Sequence, residues 1–461
     1  MISSQLMNPF DIQITGASLT FLQVATRVPL KFGSEVLTSV TCARVSVSVE
    51  RRDGHSGEGW GETPLSVQWV WPSATSYEER HLALQEFSEL LLNKYKSHSG
   101  FGHALELGYS FVFELLPTFL KEYNESERNG MEPLPWLGAL VCASAFDLAL
   151  HDAYGMTNDL PTYQSYDFPY LNLDLSHFIE SNCVNTISFE KKTPSEFLVL
   201  DPDNQIPVWH LVGGLDPLSA RECTGSEPRD GYPIHLEEWI ERDGLNCLKI
   251  KLRGNDSHWD YSRLVAIGKI ANEMNVDYLT TDFNCTVTDP SYVNQILDQL
   301  KVKESKTWDK IIYVEQPFPY DLEKYGIKVH SLSERKPLFM DESAHDWKHV
   351  RLGLELGWTG VALKTCKTQT GALLSLCWAK AHGMDLMVQD LTNPMLAQIP
   401  HVLLGAHAGT IMGVESNGMQ FYPEASLKEA LIHPGIYERR NGMLDLSTLK
   451  GPGFGYQMEL G

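Results

Sequence analysis

Five short apolar runs in the second half of the chain each end on charged residues that could do chemistry together. They are Cys247-Leu248-Lys249-Ile250-Lys251, Thr280-Thr281-Asp282, Ile311-Ile312-Tyr313-Val314-Glu315, Leu338-Phe339-Met340-Asp341 and Val361-Ala362-Leu363-Lys364. Side chains alternate between the two faces of a strand. Leu248, Ile250 and Leu252 therefore share one face, and Lys249 and Lys251 the other. By the same phase Asp282 goes with Thr280 and Asn284, Glu315 with Ile311 and Tyr313, and Asp341 with Phe339. Lys364 lies opposite Val361 and Leu363, whereas Lys367 falls in the other phase and beyond the run, which makes it the poorer candidate.

Three carboxylates with no histidine or cysteine among them make a hard oxygen site. Such a site favours magnesium, with water and substrate oxygens completing an octahedron. A lysine beside a metal and other cations can have its pKa lowered into the range of a general base. It could then take a proton from carbon while the metal stabilises the resulting enediolate. Asp390, Glu415 and Asn417, near the next two strand ends, are candidates for the distal part of a substrate.

The elements that must position these groups can be read from the rhythm of the chain. From about Ile206 short apolar strands alternate with helical stretches, which predicts successive βα units and a parallel sheet. With seven or eight units the economical closure is a barrel, whose sites assemble at the C-terminal strand ends where these charges stand. Earlier, Val45, Val47 and Val49 alternate with Ser46, Ser48 and Glu50 within a strand-like region from Asp11 to about Glu62. Residues 76–155 read as helical, with Leu137 to Ala153 stopping near Gly155. Strands followed by helices predict a separate α+β unit. The stretch after Gly155, rich in Pro, Asp, Asn, Ser and Tyr, reads as a connection or insertion.

Composition narrows the function classes. The 461 residues carry 59 acidic against 37 basic groups, a net charge of −22. That argues against nucleic acid or an anionic membrane as partner, though not against a small anionic substrate at a metal. The eight cysteines, Cys183 among them, are scattered without a CxxC pair and read as reduced thiols of a cytoplasmic protein. No signal peptide and no membrane-spanning run are evident. A homo-oligomer is compatible with all of this.

Taken together, Lys249-Ile250-Lys251, Asp282-Phe283-Asn284, Val314-Glu315-Gln316-Pro317, Asp341-Glu342-Ser343 and Ala362-Leu363-Lys364 resemble the enolase superfamily. The resemblance is to its muconate cycloisomerase-like (mandelate racemase/muconate lactonizing enzyme) branch, and Gly59-Trp60-Gly61-Glu62 is similar to the glycine-rich strand end of that family's capping domain. It implies a modified (β/α)7β TIM-like barrel with an α+β capping domain built from both termini. The expected division is residues 1–160 for the capping domain, 161–204 for the connection, 205–415 for the barrel and 416–461 for a segment returning to the cap. It further implies Mg2+ on Asp282, Glu315 and Asp341, with Lys251 and Lys364 as acid/base catalysts on opposite faces of a small carboxylate substrate. Lys249 would hold the carboxylate or lower the pKa of Lys251, and Asn284 would sit beside the metal ligands. The implied reaction is abstraction of the proton alpha to a carboxylate, ending in racemisation, epimerisation or cycloisomerisation. Dipeptide epimerases of this branch share an Asp-x-Asp at the last strand, where this chain has Glu415-Ser416-Asn417.

Two alternatives stand beside this reading. One is an acid-sugar dehydratase of the same superfamily, which would want a histidine near Gln389-Asp390. The other is a catalytically silent ligand-binding barrel. Elsewhere the plainer expectation is structural: Asp147, His151 and Asp152 cross-link a helix, Glu342 faces outward, and Trp60, Trp69 and Trp71 pack under the cap.

Overall fold

In the N-terminal strands, β-branched residues alternate with polar ones over long runs, and the backbone pairs accordingly. The computed structural model describes residues 8–32, 35–181 and 187–457. Strands β1 (Ile12–Phe32), β2 (Glu35–Arg51) and β3 (Ser56–Pro64) form an antiparallel sheet in that order. Val45, Val47 and Val49 of β2 are fully buried, as their spacing predicts.

The sheet packs on the long helix Trp136–Asn158 through a stripe of glycines. Gly57, Gly59 and Gly61 share one face of β3, and opposite them the helix presents Thr157, Ala153, Ala149 and Ala145 at four-residue spacing. A β-carbon on Gly59 would stand 2.0 Å from the Ala153 amide nitrogen and 2.5 Å from the Ala149 carbonyl oxygen. Those atoms are backbone and cannot swing away. Gly59→Ala is therefore expected to cost about 1–3 kcal/mol as overpacking. A denaturation midpoint equal to wild type would show that the sheet can lift off the helix freely.

The helix does not stop near Gly155 but runs on to Asn158, capped by Asp159 in the left-handed region (φ 53°). Gly155 has a different task. A β-carbon there would meet the Gly453 backbone at 2.7 Å, so its absence admits the C-terminal tail. The tail is held by Asp152, whose buried carboxylate accepts from the Phe454 amide at 2.7 Å and the Trp60 amide at 2.9 Å.

From residue 205 the chain forms strands β4 (Gln205–Val212), β5 (Cys247–Lys251), β6 (Tyr278–Asp282), β7 (Ile311–Glu315), β8 (Leu338–Met340), β9 (Gly360–Leu363), β10 (Asp385–Val388) and β11 (Val414–Glu415). They pair in the order β10-β9-β8-β7-β6-β5-β4-β11, every pair parallel. The sheet curls until Gln389 and Glu415, just beyond β10 and at the end of β11, form a parallel bridge. β12 (Met443–Asp445) adds antiparallel to β4.

Inside the curl, Trp209, Cys247, Tyr313, Phe339 and Met387 form an apolar plug. Leu248 and Ile250 belong instead to the larger core shared with the outer helices. This is the phase read from the sequence, and it leaves Lys249, Lys251, Asp282 and Glu315 pointing inward above the plug.

Residues 161–181 and 187–204 form no strand and only short 3₁₀ turns, yet they bury Tyr163, Tyr166, Leu175, Phe178 and Phe189 in the main core. Trp378 and Lys380 anchor this wrap by donating to the Glu180 and Phe197 carbonyls. Cys183 and residues 1–7 lie outside the described residues. The other seven cysteines are free thiols. Among the described residues no helix is long and apolar enough to cross a membrane.

Candidate active site

Each charged side chain singled out above stands at the end of its strand because the preceding residues spend their alternation on the plug and the outer core. The result is one buried cluster. Lys249 Nζ lies 2.6 Å from Glu315 Oε1, 2.9 Å from Glu415 Oε2 and 3.3 Å from Asp282 Oδ2. Lys251 Nζ hydrogen-bonds Asp282 Oδ2. Across the cluster Lys364 Nζ is 3.2 Å from Asp341 Oδ2 and donates at 2.9 Å to the Asp390 carbonyl. All six of the expected metal and lysine positions are buried.

Burial raises the Asp282 carboxyl, but the Lys251 and Lys249 ammonium groups and the Asn284 amide outweigh it and hold it below the usual range. Glu315 goes the other way. Burial pushes it up, Lys249 only partly offsets this, and the nearby Asp282, Asp341 and Glu415 charges add to the rise. For Lys364 burial favours the neutral form, but Asp341 overcomes it and raises the ammonium above its ordinary value. Lys367 is lowered by burial, with Asp341 opposing and Lys364 assisting.

Lys367 is a member of the cluster that phase reasoning set aside. The chain leaves β9 through a 3₁₀ turn, Thr365–Lys367, which carries Lys367 back inward. Its Nζ hydrogen-bonds the Asp341 carbonyl and lies 3.6 Å from Asp341 Oδ1. Trp69 joins from the N-terminal region, its ring 5.3 Å from Lys364 Nζ and 5.6 Å from Lys367 Nζ. Its indole N–H donates at 3.1 Å to Glu342 Oε1, so Glu342 is buried beside the cluster rather than facing out. The tryptophan cluster could be read from sequence as a pocket roof or as plain packing, and spacing alone favoured packing. The outcome depends on how the short helix Val67–Val70 lands on the strand ends.

Asn284, in the left-handed region (φ 49°), turns its backbone N–H onto Asp282 Oδ1 at 2.8 Å. Asp390, Glu415 and Asn417 are also brought together, bonded to one another, with Glu415 contacting Lys249 as well. Asp390 Oδ2 accepts from the Asn417 amide at 2.7 Å and the Asn393 amide at 3.2 Å. Asn417 Nδ2 donates at 2.7 Å to Glu415 Oε1. None of the three lines the cavity at the mouth of the cluster, which Lys251 and Asn284 do line. Gln389 fills the place where a dehydratase would want histidine, and its amide donates to Glu315 Oε2 and, at 3.2 Å, to the Tyr313 hydroxyl.

Asp147 and His151 serve the cluster from outside. Asp147 accepts from the Thr370 amide and hydroxyl, each at 2.8 Å, and His151 Nε2 meets that hydroxyl at 2.9 Å. The long helix Trp136–Asn158 thereby grips the segment just after Lys364 and Lys367. Burial keeps His151 neutral, with its pKa pushed down to about 3.

The donor set suits a magnesium ion in kind. It consists of carboxylate oxygens alone, and Asp341 Oδ1 is buried with no hydrogen-bond donor. The mutual repulsion that raises Glu315 is also what a divalent cation would relieve. As the side chains stand, however, lysine ammonium groups contact one oxygen of each carboxylate, the Asn284 and Gln389 amides hold Asp282 Oδ1 and Glu315 Oε2, and no three acidic, histidine or cysteine side chains among the described residues form a ready cation cage.

Comparison with known proteins agrees with the fold. Residues 233–460 match the model of the family described as enolase C-terminal domain-like. Among solved structures, the chain is similar to a dipeptide epimerase from Enterococcus faecalis V583 complexed with Mg and the dipeptide L-Leu-L-Tyr, with TM-score 0.61 and 17% identity over 96% of this chain and 99% of that one. It is similar to an N-succinyl Arg/Lys racemase from Bacillus cereus ATCC 14579, with TM-score 0.60 and 17% identity over 96% and 95%. A muconate lactonizing enzyme from Pseudomonas fluorescens, complexed with muconolactone, gives TM-score 0.59 and 16% identity over 97% of each chain. A search of the curated proteins found no match.

Proposed function

From the membership of residues 233–460 in the enolase C-terminal domain-like family, we propose that the protein is a magnesium-dependent enzyme that abstracts the proton alpha to a substrate carboxylate. On this reading the curled sheet is a modified (β/α)7β barrel, and the antiparallel sheet with its helices is the cap. The observation that carries the proposal is the single buried cluster in which Lys249 and Lys251 face Asp282 and Glu315 while Lys364 faces Asp341.

Asp282, Glu315 and Asp341 would hold the metal, which when bound supplies Lewis-acid stabilisation of carboxylate charge. The remaining chemistry belongs to the chain. Lys251 and Lys364 stand on different strands and engage different carboxylates, so their Nζ atoms can serve opposite faces of a substrate carbon. One neutral amine takes the proton, the C–H electron pair moves into the carboxylate to give an enediolate, and the other ammonium returns a proton. That sequence inverts the centre. The same pair also serves cycloisomerisation: the enediolate electron pair forms a C=C bond as the ring C–O bond at the beta carbon breaks and its oxygen leaves as a carboxylate, and the reverse, ended by proton return from an ammonium, closes the ring. Trp69, lying over Lys364 and Lys367, excludes water from that side.

The test is deuterium wash-in at the alpha carbon of candidate carboxylates in heavy water, followed by proton NMR. Exchange that needs magnesium, is confined to one enantiomer in Lys251→Ala and is lost in the Lys251→Ala/Lys364→Ala double variant is expected. A magnesium-loaded protein that exchanges no carboxylate in a broad set would overturn the reading in favour of a ligand-binding barrel.

The metal assignment has its own check. Asp341→Asn and Glu315→Gln are each expected to weaken magnesium binding at least tenfold by calorimetry, which is about 1.4 kcal/mol. Unchanged affinity in both would remove these residues from the ligand set.

A further inference from the structure

Lys364 and Lys367 stand on a short segment whose shape is held from behind. Lys364 follows β9, the turn Thr365–Lys367 comes next, and the helix Gln369–Ala381 begins just beyond Thr368. Thr368 itself has φ 74° and ψ 146°. That region belongs essentially to glycine, and a β-branched residue stays in it only where its surroundings over-determine the backbone. The surroundings here are two other stretches of the chain, the helix Trp136–Asn158 and the wrap that follows it.

Both stretches meet Gln369 and Thr370 in one continuous line of hydrogen bonds, every member of it buried. Burial keeps His151 neutral, so one ring nitrogen donates and the other accepts. The line starts at Gln369 Nε2, which can only donate and does so at 3.3 Å to the Tyr166 hydroxyl. Tyr166 in turn donates at 2.9 Å to His151 Nδ1. His151 Nε2 donates at 2.9 Å to the Thr370 hydroxyl, which donates at 2.8 Å to Asp147 Oδ1. The Thr370 amide closes on Asp147 Oδ2. Gln369 and Thr370 are neighbours, so the line returns to the helix turn it left. Tyr166 is its member from the wrap, and removing that phenol oxygen opens the loop without touching Lys364 or Asp341.

We infer that Tyr166 is a positioning residue for Lys364, acting through His151 and Thr370, and that the connection carrying it belongs to the reaction machinery. The inference rests on reading the buried cluster as the proton-abstraction site. The stretch from Lys364 to Thr370 is a single tight turn, so a shift of Thr370 is passed to the lysine backbone. Proton transfer is sensitive to such shifts, since about an ångström of misplacement can cost about 10²-fold. Lys251 belongs to β5, and every bond in the line runs between other elements. The effect of Tyr166 is therefore confined to one of the two proton-transfer arms.

The experiment uses the full-length protein and two readouts. The first is alpha-proton exchange in heavy water with magnesium, run on each enantiomer of an acid that the wild type exchanges. The Lys364 arm is the one lost in Lys364→Ala. Tyr166→Phe is expected to slow that arm several-fold, and Thr370→Val by about tenfold or more, with the Lys251 arm unchanged in both. Thr370→Ser, which keeps the hydroxyl, is expected to restore the rate. The second readout is the ¹⁵N signal of the Lys364 ammonium in chelator, assigned by its loss in Lys364→Arg. It is expected to move in Tyr166→Phe and Thr370→Val and to return in Thr370→Ser, while the Lys249 signal stays in place. If Thr370→Val fails to fold, Tyr166→Phe decides, because it leaves Asp147 and Thr370 bonded. Equal slowing of both arms, or a Lys364 signal unmoved by the variants, would overturn the inference. A Lys364 signal that moves in a protein exchanging no acid would uphold the positioning role and sink the proton-abstraction reading alone.

Discussion

Alanine at Lys364 is expected to reduce turnover about 10²–10⁴-fold, the range that a positioned acid/base group contributes, while the chain stays folded. Folding should survive because Asp341 loses one cation but keeps another, Lys367, at 3.6 Å from its Oδ1. The stereochemistry makes the prediction sharper than a rate alone. If Lys251 and Lys364 serve opposite faces, the variant should still exchange the alpha proton of one enantiomer with solvent, through Lys251, while interconversion of the two enantiomers is lost. Lys251→Ala should show the mirror pattern. Proton NMR in heavy water, run on each enantiomer separately, reads both. If Lys364→Ala kept full racemising activity, the catalytic role would pass to Lys367, which shares the Trp69 roof and whose ammonium burial already weakens.

That ambiguity between two lysines shows where sequence reasoning ran out. Inside the strands alternation is enforced by the backbone, so the inward phase of Lys249, Lys251, Asp282 and Glu315 was legible from Leu248, Ile250 and Tyr313. Lys367 lies past the end of β9, where a 3₁₀ turn resets the direction of every side chain. Strand phase carries no information across such a turn. Asp390 shows the converse. A carboxylate at a strand end can face a ligand, but it can equally turn back onto loop amides, and here the Asn393 and Asn417 backbones capture it. Spacing cannot distinguish these uses, because both need the same residue type in the same place.

Glycines separated in the same way. Gly155 read as a helix stop, since glycine is common just past a helix end. Its actual partner is Gly453, some three hundred residues away in sequence, and no local pattern reveals a close approach of that kind. Gly59 and Gly61 were visible as a motif and Gly57 was not, and the meaning of the stripe lies in the matching small residues of the helix. Long-range packing was the missing term in each case.

Replacing Lys249 by methionine is expected to have the largest effect on stability, about 3–5 kcal/mol in metal-free protein, the usual cost of stranding a buried charge. Lys249 is the cation that Glu315, Glu415 and Asp282 share. Methionine fills a similar volume, so packing contributes little to the loss. The effect should depend on pH in a definite direction. Glu315 already has a folded pKa well above its ordinary value, raised first by burial and restrained by Lys249. Without Lys249 that folded pKa rises further, so the folded state binds more protons than the unfolded state over a wider range. Stability therefore falls as pH rises above the unfolded glutamate pKa of about 4.3. The deficit of Lys249→Met should be small near pH 5, where Glu315 is protonated in the folded chain, and large near pH 8. Magnesium offers an independent lever, since a divalent cation on the same carboxylates would replace the missing charge and recover part of the loss. Guanidinium denaturation at pH 5 and pH 8, with chelator and with magnesium, measures all of this. Equal midpoints for variant and wild type at pH 8 in chelator would mean that the carboxylates do not depend on Lys249 for their charge balance, and the arrangement described for the cluster would have to be abandoned.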